Sequence, residues 1–352
     1  MTELKLDSLR RDLLAWYDRG NRDMPWRRNP EPWWVWVSEI MLQQTRVESV
    51  IGYFNRFIER YPTPESLASS SMDELMGYWA GLGYYARARN LHKAATKVVE
   101  VHGGRVPDDP NAFMELPGVG RYTCAAVQSI AFGQPLAVLD GNVIRVIARL
   151  EHCDQDPKQT AVKAHFWNRA QSFLDIQRAG DFNQAMMELG ATVCTPRSPK
   201  CLLCPLRSHC IAHRETDPER LPIRSPKKKR PTHRWVAALC QTQDAQIWLQ
   251  RRAEDGLLGG LWTLPMRASD SPEELKSYGL KPHGKVGEIK HGFTHLIWQV
   301  SIYHCSGQPE PVDDEPIQAF TIEEIDKLGL DGPSLKALRA CGIPLKRRRG
   351  AG

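Results

Sequence analysis

The chain has 352 residues, of which 41% are apolar and 25% charged. That length allows two domains with separate cores, and the composition excludes disordered and collagen-like chains. The net charge of +6 is concentrated, with eight Lys/Arg against three acids between His213 and Arg234 and four more cations at Lys346–Arg349. A basic linker and tail suit a polyanion such as DNA.

From the N-terminus, MTELKLDSLRRDLLAWYDRG is charged and amphipathic, unlike a secretory signal. No run reaches the roughly 18 apolar residues of a membrane span, so a cytoplasmic, nucleoid-associated protein without membrane contact is expected. Residues 1–212 read as mostly helical, with three- and four-residue apolar spacing at Glu39–Arg60, Ser71–Tyr78, Arg87–His102 and Thr160–Arg178. Breakers such as Tyr61-Pro62-Thr63-Pro64 and Pro107-Asp108-Asp109-Pro110 separate them.

Glu39 lies inside the apolar run Trp33–Leu42, where a desolvated acid holds its proton more tightly. Further on, Leu116-Pro117-Gly118-Val119-Gly120-Arg121-Tyr122-Thr123 separates two apolar helical stretches. Glycines at alternate positions allow a tight turn that brings bare N–H groups at a helix start against phosphate. Asp140 follows the strand-like Val138-Leu139 and precedes a helix over Val143–Leu150, where it serves at least as a cap.

Cys194, Cys201, Cys204 and Cys210 are spaced C-x6-C-x2-C-x5-C. Four soft thiolates within seventeen residues indicate zinc or an iron–sulfur cluster, and spacing alone does not choose between them. Cys124, Cys153, Cys240, Cys305 and Cys341 are scattered and read as ordinary buried or partly exposed thiols. The Pro-rich, charged stretch 213–233 reads as a linker. Beyond it the period changes to that of strands at Trp235–Cys240, Gln246–Gln250 and Leu296–Tyr303, with helical stretches at Pro272–Tyr278 and Ile322–Leu328.

Taken in order, Ser38-Glu39-Ile40-Met41-Leu42-Gln43-Gln44-Thr45, Gly81-Leu82-Gly83-Tyr84-Tyr85-Ala86-Arg87-Ala88-Arg89-Asn90, the hairpin, Leu139-Asp140-Gly141-Asn142-Val143 and the four cysteines resemble the adenine DNA glycosylases of the helix–hairpin–helix superfamily. The resemblance implies a multidomain protein. An all-α helix–hairpin–helix domain would span 1–212, with its hairpin at about 114–135 and a [4Fe–4S] loop at 194–210. A basic linker (213–233), an α/β Nudix-like domain (234–345) and a basic tail (346–352) would follow. It also implies a monomer acting on duplex DNA that contains A:8-oxoguanine or A:G mispairs. Excision of adenine would leave an abasic site and prevent G:C to T:A transversions.

In that family a protonated acid at Glu39 protonates the adenine, and an ionised carboxylate at Asp140 stabilises the oxocarbenium-like sugar. Asn142 matches a residue that orients the reacting groups. Arg27, Gln184 and Leu42 match contacts to a flipped adenine, Gln43 and Gln44 contacts to the opposing strand, and Tyr84 a wedge beside 8-oxoguanine. Gly118 and Gly120 match the backbone phosphate site. Strand-cutting relatives carry a lysine where this chain has Tyr122, and others a lysine where it has Ile144, so a monofunctional enzyme is expected.

The C-terminal part resembles a Nudix fold without its acid-rich magnesium helix, since only Glu273 and Glu274 remain. It is expected to read 8-oxoguanine through Phe293, Thr294 and His295 and to hydrolyse no nucleotide. A strand-cutting pyrimidine-damage glycosylase, a Nudix hydrolase with a DNA-binding appendage and a non-catalytic iron–sulfur protein are the competing readings. Against the first, this chain has Tyr122 in place of the hairpin lysine and carries a Nudix-like domain; against the second, its acid helix is incomplete.

Overall fold

The computed structural model describes residues 3–223, 225–226, 229–254, 256–313 and 315–345. The basic tail Lys346–Arg349 and Arg224, Lys227 and Lys228 of the basic segment lie outside the described residues. The chain forms two compact units, Met1–Gln43 with Pro62–Glu65 and Ala94–Lys227, and Gln44–Tyr61 with Ser66–Lys93 and Lys228–Gly352. Their membership cuts across the boundaries drawn from the sequence, because helices between 44 and 93 group with the C-terminal part.

The first unit is helical. Its core gathers Leu9, Leu13, Val146, Ile147, Phe166, Phe173, Phe182 and Leu189. The helix Gly141–Leu150 supplies Val143, Val146, Ile147 and Leu150, which the three- and four-residue spacing puts on one face, all buried. The helix Pro32–Leu42 is apolar on nearly every face and buries Trp33, Val35, Trp36 and Val37. Trp36 packs edge-on against Trp33 and Phe113 at 5.6 and 4.9 Å.

The expected helix Glu39–Arg60 is two helices, Pro32–Leu42 and Val47–Arg60. Gln44 breaks the run with a φ of 60°, a left-handed conformation that apolar periodicity does not reveal. The stretch before Asp140 is extended but pairs with no named strand. Instead Asn183 holds it, accepting the Val138 N–H at 3.0 Å and donating to the Leu136 carbonyl at 2.7 Å.

Among the described residues of the second unit, seven strands form two sheets: β1 (Thr232–Cys240), β2 (Ile247–Arg251), β3 (Trp262–Thr263), β4 (Met266–Arg267), β5 (Lys281–Gly292), β6 (Ile297–Ser306) and β7 (Ile317–Phe320). One sheet has the order β4-β1-β6-β5, with β1 and β6 parallel, and the other the order β3-β2-β7. Strand β1 is buried on both faces. Ala237 and Leu239 enter one core with Trp298, Val300 and Leu338, while Val236, Ala238 and Cys240 enter another with Tyr278 and Leu280. That explains its unbroken apolar run.

The expected linker 213–233 is partly structured, with a helix Ile211–Glu215 at its start, a 3-10 turn at Pro218–Arg220 and β1 already paired at Thr232. The stretch Pro272–Tyr278 is a 3-10 helix, not an α-helix. The long strand β5 gave no apolar alternation because it is an edge strand, largely exposed, carrying Lys285 and Lys290. Pairing of Gly292 with Ile297 closes the β5–β6 hairpin around residues 293–296, which fixes the place of Phe293, Thr294 and His295.

Candidate active site and iron–sulfur loop

Glu39 is 5% exposed on the helix Pro32–Leu42, whose start Glu31 caps by accepting the Trp34 N–H at 3.1 Å. Burial pushes the Glu39 carboxyl up to about 7; a hydrogen bond from Tyr122 opposes the rise, the Asp140 carboxylate adds to it and Arg27 opposes it. Tyr122 Oη donates to Glu39 Oε2 at 2.7 Å and lies 3.3 Å from Met187 Sδ. Burial and the two nearby carboxylates hold the Tyr122 phenol far above its ordinary value, so it remains a donor.

Asp140 is the N-cap of the helix Gly141–Leu150. Its Oδ1 accepts the N–H groups of Asn142 and Val143 at 2.9 and 2.8 Å, and its Oδ2 accepts the Asn142 side-chain amide at 2.9 Å. The Gly141-Asn142 turn after Asp140 is polar in sequence, yet the carboxyl itself is buried, like that of Glu39. Burial raises the Asp140 carboxyl as well, against those three donors and Arg145. The two acids differ in their donors. Asp140 has three N–H groups at a helix N-terminus, which favour its charge, whereas Glu39 has one phenol.

Asn142 is held in turn, its Oδ1 accepting from Arg145 Nη2 at 2.7 Å. The helix Ala179–Thr192 presses on it so closely that a Cβ at Gly190 would stand 2.6 Å from Asn142 Cβ. On that helix Gln184 Oε1 accepts from Arg27 Nε at 3.1 Å. The Gln184 amide nitrogen is thereby left as the group available to a ligand.

Sequence reading missed what holds Arg27. Glu188, 3% exposed, accepts from Arg27 Nη2 at 3.0 Å and takes a fork from Arg22 at 2.7 and 2.9 Å. Burial works against its charge, but the two guanidinium groups hold the Glu188 carboxyl below the usual range. A buried acid on the same helix, four residues past Gln184, was the available signal. Leu42 ends the helix that carries Glu39 and is half-buried, and Gln43 Nε2 donates to Thr123 Oγ1 at 3.3 Å.

In the hairpin Gly118 takes a φ of 79°, which only glycine adopts without strain, and Gly120 caps the helix Arg121–Phe132 with no side-chain acceptor. The first N–H groups of that helix are thus offered outward, as a phosphate site requires.

The four cluster cysteines are all free thiols and, with Arg149, Lys200, Arg207 and His213, line one pocket. Burial pushes the Cys204 thiol up to about 12, the neighbouring thiols push the same way, and burial raises Cys201 and Cys210 too. Such crowded thiols ionise together only around a cation, so the donor set fits a metal group. Among the described residues no three Cys, His, Asp or Glu side chains converge as a single-ion site. Four sulfurs lining one pocket fit a metal group held by thiolates.

The second unit holds the other expected contacts. Thr294 Oγ1 and Tyr84 Oη share a hydrogen bond at 2.9 Å, and His295 is exposed. Phe293 packs edge-on against Trp298 at 5.0 Å and tilted against His291 at 4.7 Å, and its carbonyl accepts from Arg230 Nη1 at 2.9 Å. Tyr84 is 45% exposed with a φ of 50°. Arg87 holds it there, lying 5.4 Å over its ring and donating to the Gly83 carbonyl at 3.1 Å. Gln44 is exposed.

Comparison with known proteins gives the family. Residues 37–172 match the model of the HhH-GPD superfamily of base excision DNA repair proteins, 194–210 the iron–sulfur binding domain of endonuclease III, and 236–340 the NUDIX domain. The chain is 37% identical to the human adenine DNA glycosylase, over 85% of this chain and 67% of the relative, and 38% identical to that of Rattus norvegicus, over 84% and 70%. A solved thermostable thymine-DNA glycosylase shares 31% identity with a TM-score of 0.55, covering 60% of this chain and 97% of its own. The loop 194–210 is thus a [4Fe–4S] site of the endonuclease III type. Among the described residues no helix is long and apolar enough to cross a membrane.

Proposed function

Because the chain belongs to the adenine DNA glycosylase family of base excision repair, we propose that it acts on adenine mispaired with 8-oxoguanine, or with G, in duplex DNA. Water replaces the base at the sugar and an abasic site remains. The observation that carries this reading is Glu39, buried, hydrogen-bonded to Tyr122 and titrating near 7 beside a carboxylate held by three N–H donors.

The flipped adenine enters against Leu42, with Arg27 and the Gln184 amide nitrogen on its polar edge. Protonated Glu39 delivers its proton to the departing base, and Tyr122 holds the carboxyl in place. As the C–N bond lengthens, positive charge grows on the sugar, and the Asp140 carboxylate, kept ionised by Asn142 and Val143, stabilises it. Glu39, now ionised, accepts a proton from the attacking water, and Asn142 orients the groups. Cys194, Cys201, Cys204 and Cys210 would hold the cluster, which would crosslink the loop Cys194–Cys210 that carries Arg197, Lys200 and Arg207 toward the DNA backbone, while the Gly118–Gly120 hairpin takes a phosphate.

Gln43 and Gln44 fill the space left by the base, and Tyr84, Phe293, Thr294 and His295 read the opposing 8-oxoguanine. On this reading residues 1–212 carry excision and 234–345, joined by Tyr84, recognition, in a monomer. Tyr122 and Ile144 provide no amine for a Schiff base, so the enzyme is monofunctional.

The test is a panel of duplexes with A opposite 8-oxoguanine, A opposite G, and thymine glycol, with and without alkali. Strand breaks at A only after alkali are expected. Cleavage without alkali, or efficient borohydride trapping of a protein–DNA adduct, overturns the monofunctional reading, and cleavage at thymine glycol overturns the substrate.

A further inference from the structure

Arg149 is 1% exposed on the helix Gly141–Leu150. Its guanidinium donates through Nε to the Leu221 carbonyl at 3.1 Å, through Nη1 to the Thr195 carbonyl at 2.8 Å, and through Nη2 to the Pro196 carbonyl at 3.4 Å. Nη1 also lies 3.3 Å from Cys194 Sγ. Among the described residues none of these acceptors is a carboxylate. A guanidinium buried without a counter-anion is a large desolvation cost that carbonyl dipoles only partly offset. The anion at hand is the sulfur it touches, and Arg149 lines the cavity shared by all four cluster cysteines.

We propose that Arg149 is the internal counter-cation of the iron–sulfur cluster and sets its reduction potential through Cys194. A buried positive charge and an N–H donor at a ligand sulfur favour the more reduced, more negative form of the cluster. Lys200 and Arg207 line the same cavity but are exposed, so solvent and salt screen them. The same guanidinium ties the backbone on both flanks of the loop, at Thr195–Pro196 and at Leu221, so charge and strut reside in one side chain.

The test separates those two roles. Purified full-length protein carrying Arg149→Gln, Arg149→Lys or Arg207→Gln is assayed for iron content. The potential of the one-electron cluster couple is then read by its visible absorption against a mediator that takes up the electron. Removing the charge in Arg149→Gln should lower the potential, so that at a fixed potential the oxidised-to-reduced ratio rises about tenfold, or about 59 mV. Arg149→Lys and Arg207→Gln should each change the ratio less than about threefold. A Gln variant too poor in iron to titrate, beside a Lys variant with full iron and near-parent potential, supports the countercharge equally. The proposal is overturned by a loaded Gln variant with the parent potential, by equal shifts in Gln and Lys, by loss of iron from both, or by an Arg207→Gln shift as large as that of Arg149→Gln.

Discussion

A carboxyl that titrates near 7 costs the fold stability at neutral pH. In the unfolded chain Glu39 ionises near its ordinary 4.5, whereas in the folded protein it does so at about 7. Between those values the unfolded state releases a proton that the folded state keeps. Stability therefore falls as pH rises through that window and levels off above it, at a cost of about 3 kcal/mol. Glu39→Gln removes the ionisation and the acid together. Excision should vanish while binding of the mispaired duplex persists, and thermal melts should show the variant gaining on the parent between pH 5 and pH 8. A variant that remains active, or whose relative stability is the same at both values, refutes the role given to burial. For the parent, single-turnover excision should decline as pH rises through about 7, because only the protonated form donates. Tyr122→Phe removes a hydrogen bond that favours the charged form of Glu39. The alkaline limb should then move to higher pH as the rate falls; a downward move would mean that Tyr122 does not act through Glu39.

At the scale of elements, the site depends on how closely two helices approach. The helix Ala179–Thr192 meets the start of Gly141–Leu150 through Gly190, where a Cβ would lie 2.6 Å from Asn142 Cβ and 3.0 Å from its Cα. Gly190→Ala should therefore cost about 1–3 kcal/mol by overpacking. It should also slow excision, because Asn142 donates to Asp140 and any shift reaches the carboxylate. Denaturant melts and single-turnover rates on one preparation check both, and an unchanged rate would detach Asn142 from the mechanism. Elements with a buried face or two were legible. The helix Gly141–Leu150 was visible from its spacing and its capping acid, and β1 from its apolar run. Strand β5 was not, because an exposed edge strand has no reason to alternate. The left-handed turn at Gln44 was not either, because backbone handedness leaves no mark on hydropathy. The acids, the hairpin and the cysteines could be read because each sits in a short contiguous motif. The fork from Arg22 to Glu188 could not, since its partners stand 166 residues apart and only folding brings them together.

At the scale of the whole molecule, the residues proposed for chemistry and those proposed for recognition belong to different units. Glu39, Tyr122, Asp140 and Asn142 belong to the first, and Tyr84, Phe293, Thr294 and His295 to the second. In the proposed mechanism the acids act on the adenine alone and have no means of sensing the base opposite. On that proposal, discrimination between 8-oxoguanine and G falls to polar groups of the second unit. Tyr84 Oη and Thr294 Oγ1 bond to one another at 2.9 Å, and each retains hydrogen-bonding capacity for a base edge. His295 is exposed beside them. Replacing Thr294 by Val keeps the shape and removes the hydroxyl, and His295→Ala removes a second polar group. Each hydrogen bond lost to a base edge is worth about 1–3 kcal/mol of discrimination. The double variant should thus lose at least about fivefold in its preference for A:8-oxoguanine over A:G, measured as the ratio of single-turnover excision at subsaturating protein. Its saturated rate on A:G should stay within about twofold of the parent, because no group of the first unit has changed. An equal fall on both duplexes would show that these residues support the fold or general DNA binding. A preserved ratio would move the reading of 8-oxoguanine elsewhere in the protein.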